Sequence, residues 1–236
     1  MRCFSRRHFA RISVIDRLGL SSLNSDIPNN EQRTTNSGQA KRSHGEVRVV
    51  SRVVGFKKIK FYTNENIGSG ELDLPEQQMH TSSYWLTIPS DVMQALPYGG
   101  DDRRDGVVGL AFAMKSVAQL LLMCDGHDIG LSVDGGSLDR APRTGGMATV
   151  PDALAADPNV FIYDNYPGGI GFSRPLFEMH ESLLARTQEL ISGCPCASGC
   201  PSCVGPEGNT GPHAKQVAST ILSSLLSGSL QEQQPF

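Results

Sequence analysis

Four of the six cysteines fall within ten residues, at Cys194, Cys196, Cys200 and Cys203, in the pattern CxCxxxCxxC between Gly193 and Gly205. Thiolates are soft ligands, and four of them in so short a loop can converge on one tetrahedral ion. Zn²⁺ asks for that coordination. Pro195, Gly199 and Pro201 supply sharp turns between the cysteines. The second half, Cys200-Pro201-Ser202-Cys203, has the form of a zinc knuckle, in which backbone N–H groups point at the sulfurs and steady them. With four protein ligands no position is left for a reacting water, so the expected role of the zinc is structural.

The same four residues could instead form two disulfides or hold an iron–sulfur cluster. Disulfides are rare in reducing compartments, and the first twenty residues lack the continuous apolar core of a secretory signal. Iron–sulfur clusters also use four thiolates, usually at other spacings. A thioredoxin-like pair needs one CxxC opening a helix in a βαβ context rather than four crowded cysteines. Zinc is therefore the expectation, with Cys194, Cys196, Cys200 and Cys203 as its ligands. His213 could in principle stand in for one of them.

A second polar cluster follows a long apolar stretch: Cys124, Asp125, His127 and Asp128, with Asp164 further along. These types could hold a divalent cation for a nuclease. The plainer reading is that they cap and turn the chain. Asp164 opens the glycine-rich run Asn165 to Phe172, where no Lys-Ser/Thr follows and the P-loop pattern fails. There the expectation is a structural turn, with the Asp164 carboxylate accepting its N–H groups.

The elements that must position these residues are legible in outline. Val47 to Val54 reads as a strand, a turn at Gly55 follows, and residues 57–63 read as its hairpin partner. A turn at Gly68 to Gly70 and short strands at Leu72 to Pro75 and Tyr84 to Ile88 come next. Trp85 is the expected core or edge anchor. Ser90 would cap a short helix ending at Leu96. A charged loop, Asp101 to Asp105, precedes a helix over 107–122 that is apolar on nearly every face and so belongs in the middle of the domain. Residues 134–157 read as an extended loop, and Asn159 to Tyr163 as an interior strand. A helix over 175–192 then delivers the chain to Cys194. The last helix, His213 to Leu226, carries the stripe Ala214, Val217, Ala218, Ile221, Leu222 and Leu225. The fold class is α/β (α+β): one compact domain with a small sheet, a buried central helix and two C-terminal helices joined by the four-cysteine zinc loop.

No apolar run approaches the ~20 residues that cross a bilayer, and the expected setting is the cytoplasm. The net charge of −3 is unevenly spread: residues 1–60 hold thirteen Lys/Arg against four Asp/Glu. Residues 1–43 show no sustained period of 2 or 3.6 and read as a basic, unstructured tail, with Cys3 a free thiol. Met1 to Leu20 is Arg-bearing and acid-free until Asp16, a composition also found in presequences. The expected domain is 44–228, and 229–236 a frayed end.

Three segments carry a family resemblance when taken in order: Cys124 to Gly130, Phe161 to Phe172, and Gly193 to Gly205. Together they resemble the MrfA-type zinc-binding domain, the C-terminal domain of MrfA/YprA-like superfamily 2 helicases. Gly45-Glu46-Val47-Arg48 and Ile67-Gly68-Ser69-Gly70 are similar to its upstream half, so the resemblance spans about residues 44–227. It implies zinc on the four cysteines and service to an ATP-driven 3′-to-5′ DNA-unwinding motor linked to DNA repair. The 236 residues contain no GxxxxGK[ST] loop and no DExH-like box, so no ATP chemistry is expected of them. The expectation is a non-catalytic accessory domain, a split subunit or a truncated product, partnered by motor lobes and single-stranded DNA but no membrane. A metal-dependent nuclease using Asp125, His127, Asp128 and Asp164, or a plain protein-interaction module, are the other readings.

Overall fold

In the computed structural model, residues 2–14, 41–60, 63, 65–133, 157–205 and 210–229 are described. The strands are β1 (Arg2–Val14), β2 (Lys41–Lys60), β3 (Asn66–Glu71), β4 (Gln77–Thr87), β5 (Ile129–Val133) and β6 (Asn159–Asp164). The helices are α1 (Ser90–Ala95), α2 (Gly100–Leu122), α3 (Ser173–Glu178), α4 (His180–Gly193) and α5 (Ala214–Ser229). All strand pairs are antiparallel, in the order β1-β2-β4-β6-β5 with β3 beside β2. The sheet curls until β1, at one edge, comes near β5 at the other.

One face of the sheet carries Tyr84, Leu86, Ile129, Val160 and Ile162 against the helices, all essentially buried. The other, concave face holds a separate small core of Val47, Val49 and Tyr163, with Met79 and Trp85 packed against it. The period-2 alternation of a strand accounts for this division. Trp85 lies 5.8 Å from Phe161, ring centre to ring centre, and so anchors the concave side.

The expected central helix is present and longer than expected. α2 is buried from Asp105 to Ala118 over most positions and lies between the β5–β6 half of the sheet and α4 and α5. Among the described residues it is the one helix with the length and apolar content to cross a bilayer. Its burial inside the domain accounts for that composition. At Gly106 the backbone of α2 runs so close to α5 that a Cβ would collide with Val217.

Six local expectations are corrected. β2 does not turn at Gly55 but runs on for 20 residues; its pairing with β1 shifts between Arg7 and His8, opposite Gly55. A lone glycine without a second turn residue marks a bulge rather than a hairpin. Gly68 and Gly70 lie within β3, and Leu72 to Pro75 is irregular chain between β3 and β4. The charged run Asp101 to Asp105 is the first turn of α2, where Asp101 and Asp102 suit the positive helix end and Arg103 Nη2 donates to the Leu96 carbonyl of α1 at 2.8 Å. Ser90 does not cap α1; its N–H is taken by Asp157 at 2.7 Å. The 175–192 helix is two helices meeting at Met179, which turns the buried His180 against the sheet.

Arg2–Val14, expected to be part of an unstructured 1–43 segment, is a strand, and β2 starts at Lys41, ahead of the strand expected from Val47. Long-range pairing with β2 overrides a composition without periodicity. The remainder of that segment, the 134–156 loop, and residues 230–236 lie outside the described residues, as does the side chain of Cys3.

Candidate metal centre

α4 and α5 deliver the metal loop. The apolar stripe expected on α5 is wholly buried, from Ala214 to Leu225. Each of its larger aliphatic side chains contributes about 1.5–3 kcal/mol by leaving water. Cys194 is the C-terminal cap of α4, in extended conformation, and the chain turns at once into the cysteine run.

The four sulfurs converge. Sγ–Sγ distances are 3.5 Å for Cys194–Cys196, 3.6 Å for Cys194–Cys200, 3.5 Å for Cys196–Cys203 and 3.7 Å for Cys200–Cys203. All ligand atoms lie within 4.8 Å of one another. A tetrahedron of sulfurs about 2.3 Å from a central zinc has edges of about 3.8 Å. The match is close, whereas a disulfide would need about 2.05 Å, and all four are free cysteines. A space this small suits one ion rather than a multi-iron cluster. The residues present therefore fit zinc.

The knuckle half is closed by its own backbone. Cys203 N–H donates to the Cys200 carbonyl at 3.0 Å, Val204 N–H to the same oxygen at 3.2 Å, and Cys200 N–H to Cys203 Sγ at 3.3 Å. Val204, fully buried, pins the turn to the core. Hydrogen bonding by the Ser202 N–H holds the Cys200 thiol down at about 7. Burial pushes the Cys203 thiol up to about 12. For Cys196 burial works upward, but hydrogen bonds with Cys203 and Cys194 outweigh it and set the thiol below its ordinary value. A divalent cation supplies the charge that lets all four stay thiolates together.

Lys215, in the first turn of α5, was not singled out by the sequence. Its ammonium donates to the carbonyls of Cys194 at 2.7 Å and Cys196 at 2.6 Å. The available signal was that Lys215 is the only Lys or Arg after Arg186. His213 is exposed and sits 6.2 Å from Tyr98, ring to ring, outside the sulfur cluster.

The second polar cluster does not converge. Among the described residues, Asp125, His127, Asp128 and Asp164 form no group of metal-ligand atoms. Asp125 accepts the backbone N–H of His127, which holds its carboxyl below the usual range, and also meets the His127 ring at 2.7 Å. Asp128 accepts Asp125 N–H at 2.8 Å and the Tyr166 hydroxyl at 2.9 Å. Burial raises the Cys124 thiol. Asp164, buried, accepts the N–H groups of Ile170, Gly171 and Phe172 at 2.6, 2.8 and 3.3 Å and the Ser82 hydroxyl at 3.0 Å. That is the turn-holding role expected of it. Gly169, at φ 74°, lies where a Cβ would strike Ser82 Oγ.

Residues 110–204 match the family model of the MrfA Zn-binding domain. That segment is similar to the MrfA Zn-binding domain. The chain is 33% identical over 175 residues to the uncharacterized ATP-dependent helicase YprA of Bacillus subtilis (strain 168), covering 74% of this chain and 21% of that protein. A crystal structure of the DUF1998 helicase MrfA bound to DNA superposes with a TM-score of 0.59 at 28% identity, over 95% of this chain and 26% of that one. The chain thus spans about a fifth of the length of the curated relative it matches. The zinc-binding family match takes in residues 110–204, and the 236 residues contain no GxxxxGK[ST] loop and no DExH-like box.

Proposed function

We propose that this chain is a zinc-stabilised accessory domain that serves an ATP-dependent DNA helicase, with Cys194, Cys196, Cys200 and Cys203 as the ligands of one structural ion. The observation that carries the reading is the convergence of four sulfurs at tetrahedral spacing inside a segment that matches a zinc-binding family model. When bound, zinc would act as a cross-link between the end of α4 and the start of α5. The ligand residues need no substrate position for that task.

DNA handling is the second part of the proposal. Eleven of the thirteen Lys/Arg in residues 1–60 lie on β1 and β2, where Glu46 is the one acid. The charge thus belongs to two paired strands. Paired strands so rich in Lys and Arg suit phosphates, and a motor that moves single-stranded DNA in the cytoplasm, in repair or otherwise, would present them. Packing on motor lobes fits the exposed apolar side chains of Leu120, Met123 and Ile170.

Metal analysis of the purified chain should give one zinc per molecule; less than half an equivalent, with iron and sulfide present, overturns the zinc assignment. Fluorescence anisotropy with a single-stranded oligonucleotide should show affinity falling steeply between 50 and 200 mM salt, because phosphate contacts release counterions. Replacing Lys57, Lys58 and Lys60 with Glu should flatten that dependence. Affinity indifferent to salt and to these changes would favour a protein-interaction module.

A further inference from the structure

We infer that Lys215 is a positioning residue of the metal centre, supplying from α5 the cation and the hydrogen bonds that the Cys194–Cys196 half of the loop does not supply for itself. The inference rests on the zinc reading above and adds a residue beyond the matched family segment, which ends at Val204.

The two halves of the site are built differently. Cys200 and Cys203 are held by a tight backbone turn with its own N–H donors, one of them to sulfur. Among the described residues no backbone–backbone hydrogen bond closes the Cys194–Cys196 half. Its two carbonyls converge instead on one ammonium, that of Lys215, at 2.7 and 2.6 Å. The carbonyls of residues 194 and 196 fix the backbone at both ligands, so this one side chain sets the angle at which both sulfurs leave the chain.

Charge points the same way. Four thiolates around a divalent ion leave a net −2 in a partly buried place, and α4 ends there with the negative pole of its dipole. The last turn of α4 contains no basic residue. Lys215 bonds the carbonyl of the capping residue Cys194 itself, and no other Lys or Arg follows Arg186. One ammonium therefore offsets both the helix end and the thiolate cluster.

The test uses the full chain and reads metal affinity by chelator competition, together with the sulfur-to-metal absorption of the Co²⁺-loaded protein. Lys215→Met should weaken zinc binding by about 10-fold or more, the usual cost of losing a group that orients a ligand, and should shift the Co²⁺ spectrum. Lys215→Arg, which keeps the charge and the donors, should recover most of the affinity. Ala218→Gly is the stability control: it weakens the same helix at a buried position away from the loop and should leave affinity and spectrum unchanged. Should the methionine variant not fold, Lys215→Gln, which keeps a donor without the charge, is read in its place against the same controls. Affinity within two-fold of the parent in the Lys215 variant, or an equal loss in Ala218→Gly, overturns the inference. A parent chain that takes up neither Zn²⁺ nor Co²⁺ overturns the zinc reading and this one with it.

Discussion

Two loops in this domain solve the same problem in opposite ways. The Asp164 loop and the cysteine loop each join a regular element to a helix through several glycines, and each brings polar groups together under partial burial. In the first, one carboxylate meets three backbone N–H groups and a serine hydroxyl, so the charge is answered from within the chain. In the second, four sulfurs face one another, the one ammonium beside them, that of Lys215, is held by the carbonyls of Cys194 and Cys196, and an added ion completes the set. A polar cluster closed by its own hydrogen bonds is architecture. One that lacks the opposite charge declares a ligand.

The largest expected break in that contrast is Cys203→Ser. Structural zinc contributes an apparent 10–16 kcal/mol, roughly, more than the entire stability of an ordinary domain. Zinc content should fall below half an equivalent, and thermal unfolding of the α4–α5 region should lose cooperativity. An unchanged melt would place the stability of that region in its apolar packing alone. Chelation of the parent should reproduce the effect.

Acid should act next most strongly, through His180. The buried imidazole shares a hydrogen bond with the Tyr84 hydroxyl, 2.7 Å from its Nδ1, and burial with help from Arg42 lowers its pKa from 6.5 to about 4. Burial likewise raises Tyr84, which stays neutral. The unfolded chain takes up the proton near 6.5, the folded one near 4. Stability is therefore unaffected above pH 6.5 and should fall by about 3 kcal/mol between pH 6.5 and 4. Urea titrations at pH 7, 5.5 and 4.5, with zinc content followed in parallel, should show this slope, and His180→Gln should remove most of it.

Asp164→Asn sharpens the comparison from the other side. It keeps an acceptor but loses the charge that three N–H groups share, which should cost about 2 kcal/mol, with zinc content unchanged. Loss of zinc in this variant would tie the two loops together. The smallest effect is expected from Asp125→Ala, whose exposed pairing with His127 should leave the melting temperature unchanged within error.

The sequence made the site more legible than the frame around it. Cys194, Cys196, Cys200 and Cys203 are close in sequence, so their spacing already limits their geometry, and Asp164 sits beside the turn it holds. The long apolar helix and the α5 stripe were equally plain, because periodicity is local information. What failed was decided at a distance. Gly55 looked like a turn until β1 was seen pairing across it. Asp101 to Asp105 looked like a loop because charge suggests solvent, yet Arg103 is occupied with the carbonyl of Leu96. Lys215 escaped notice because its partners are twenty residues away and are backbone atoms, which no residue type announces.

One feature links the two loops. α2 meets the metal loop near Gly109, against Val204, and ends beside the Asp125–Asp128 turn that binds Asn165 and Tyr166 of the Asp164 loop. A helix of 23 residues is a rod about 35 Å long. Held between the sheet and the last two helices, such a rod is a strut: it fixes the distance between the metal loop at Val204 and the Asp125–Asp128 turn, where Met123 stands exposed.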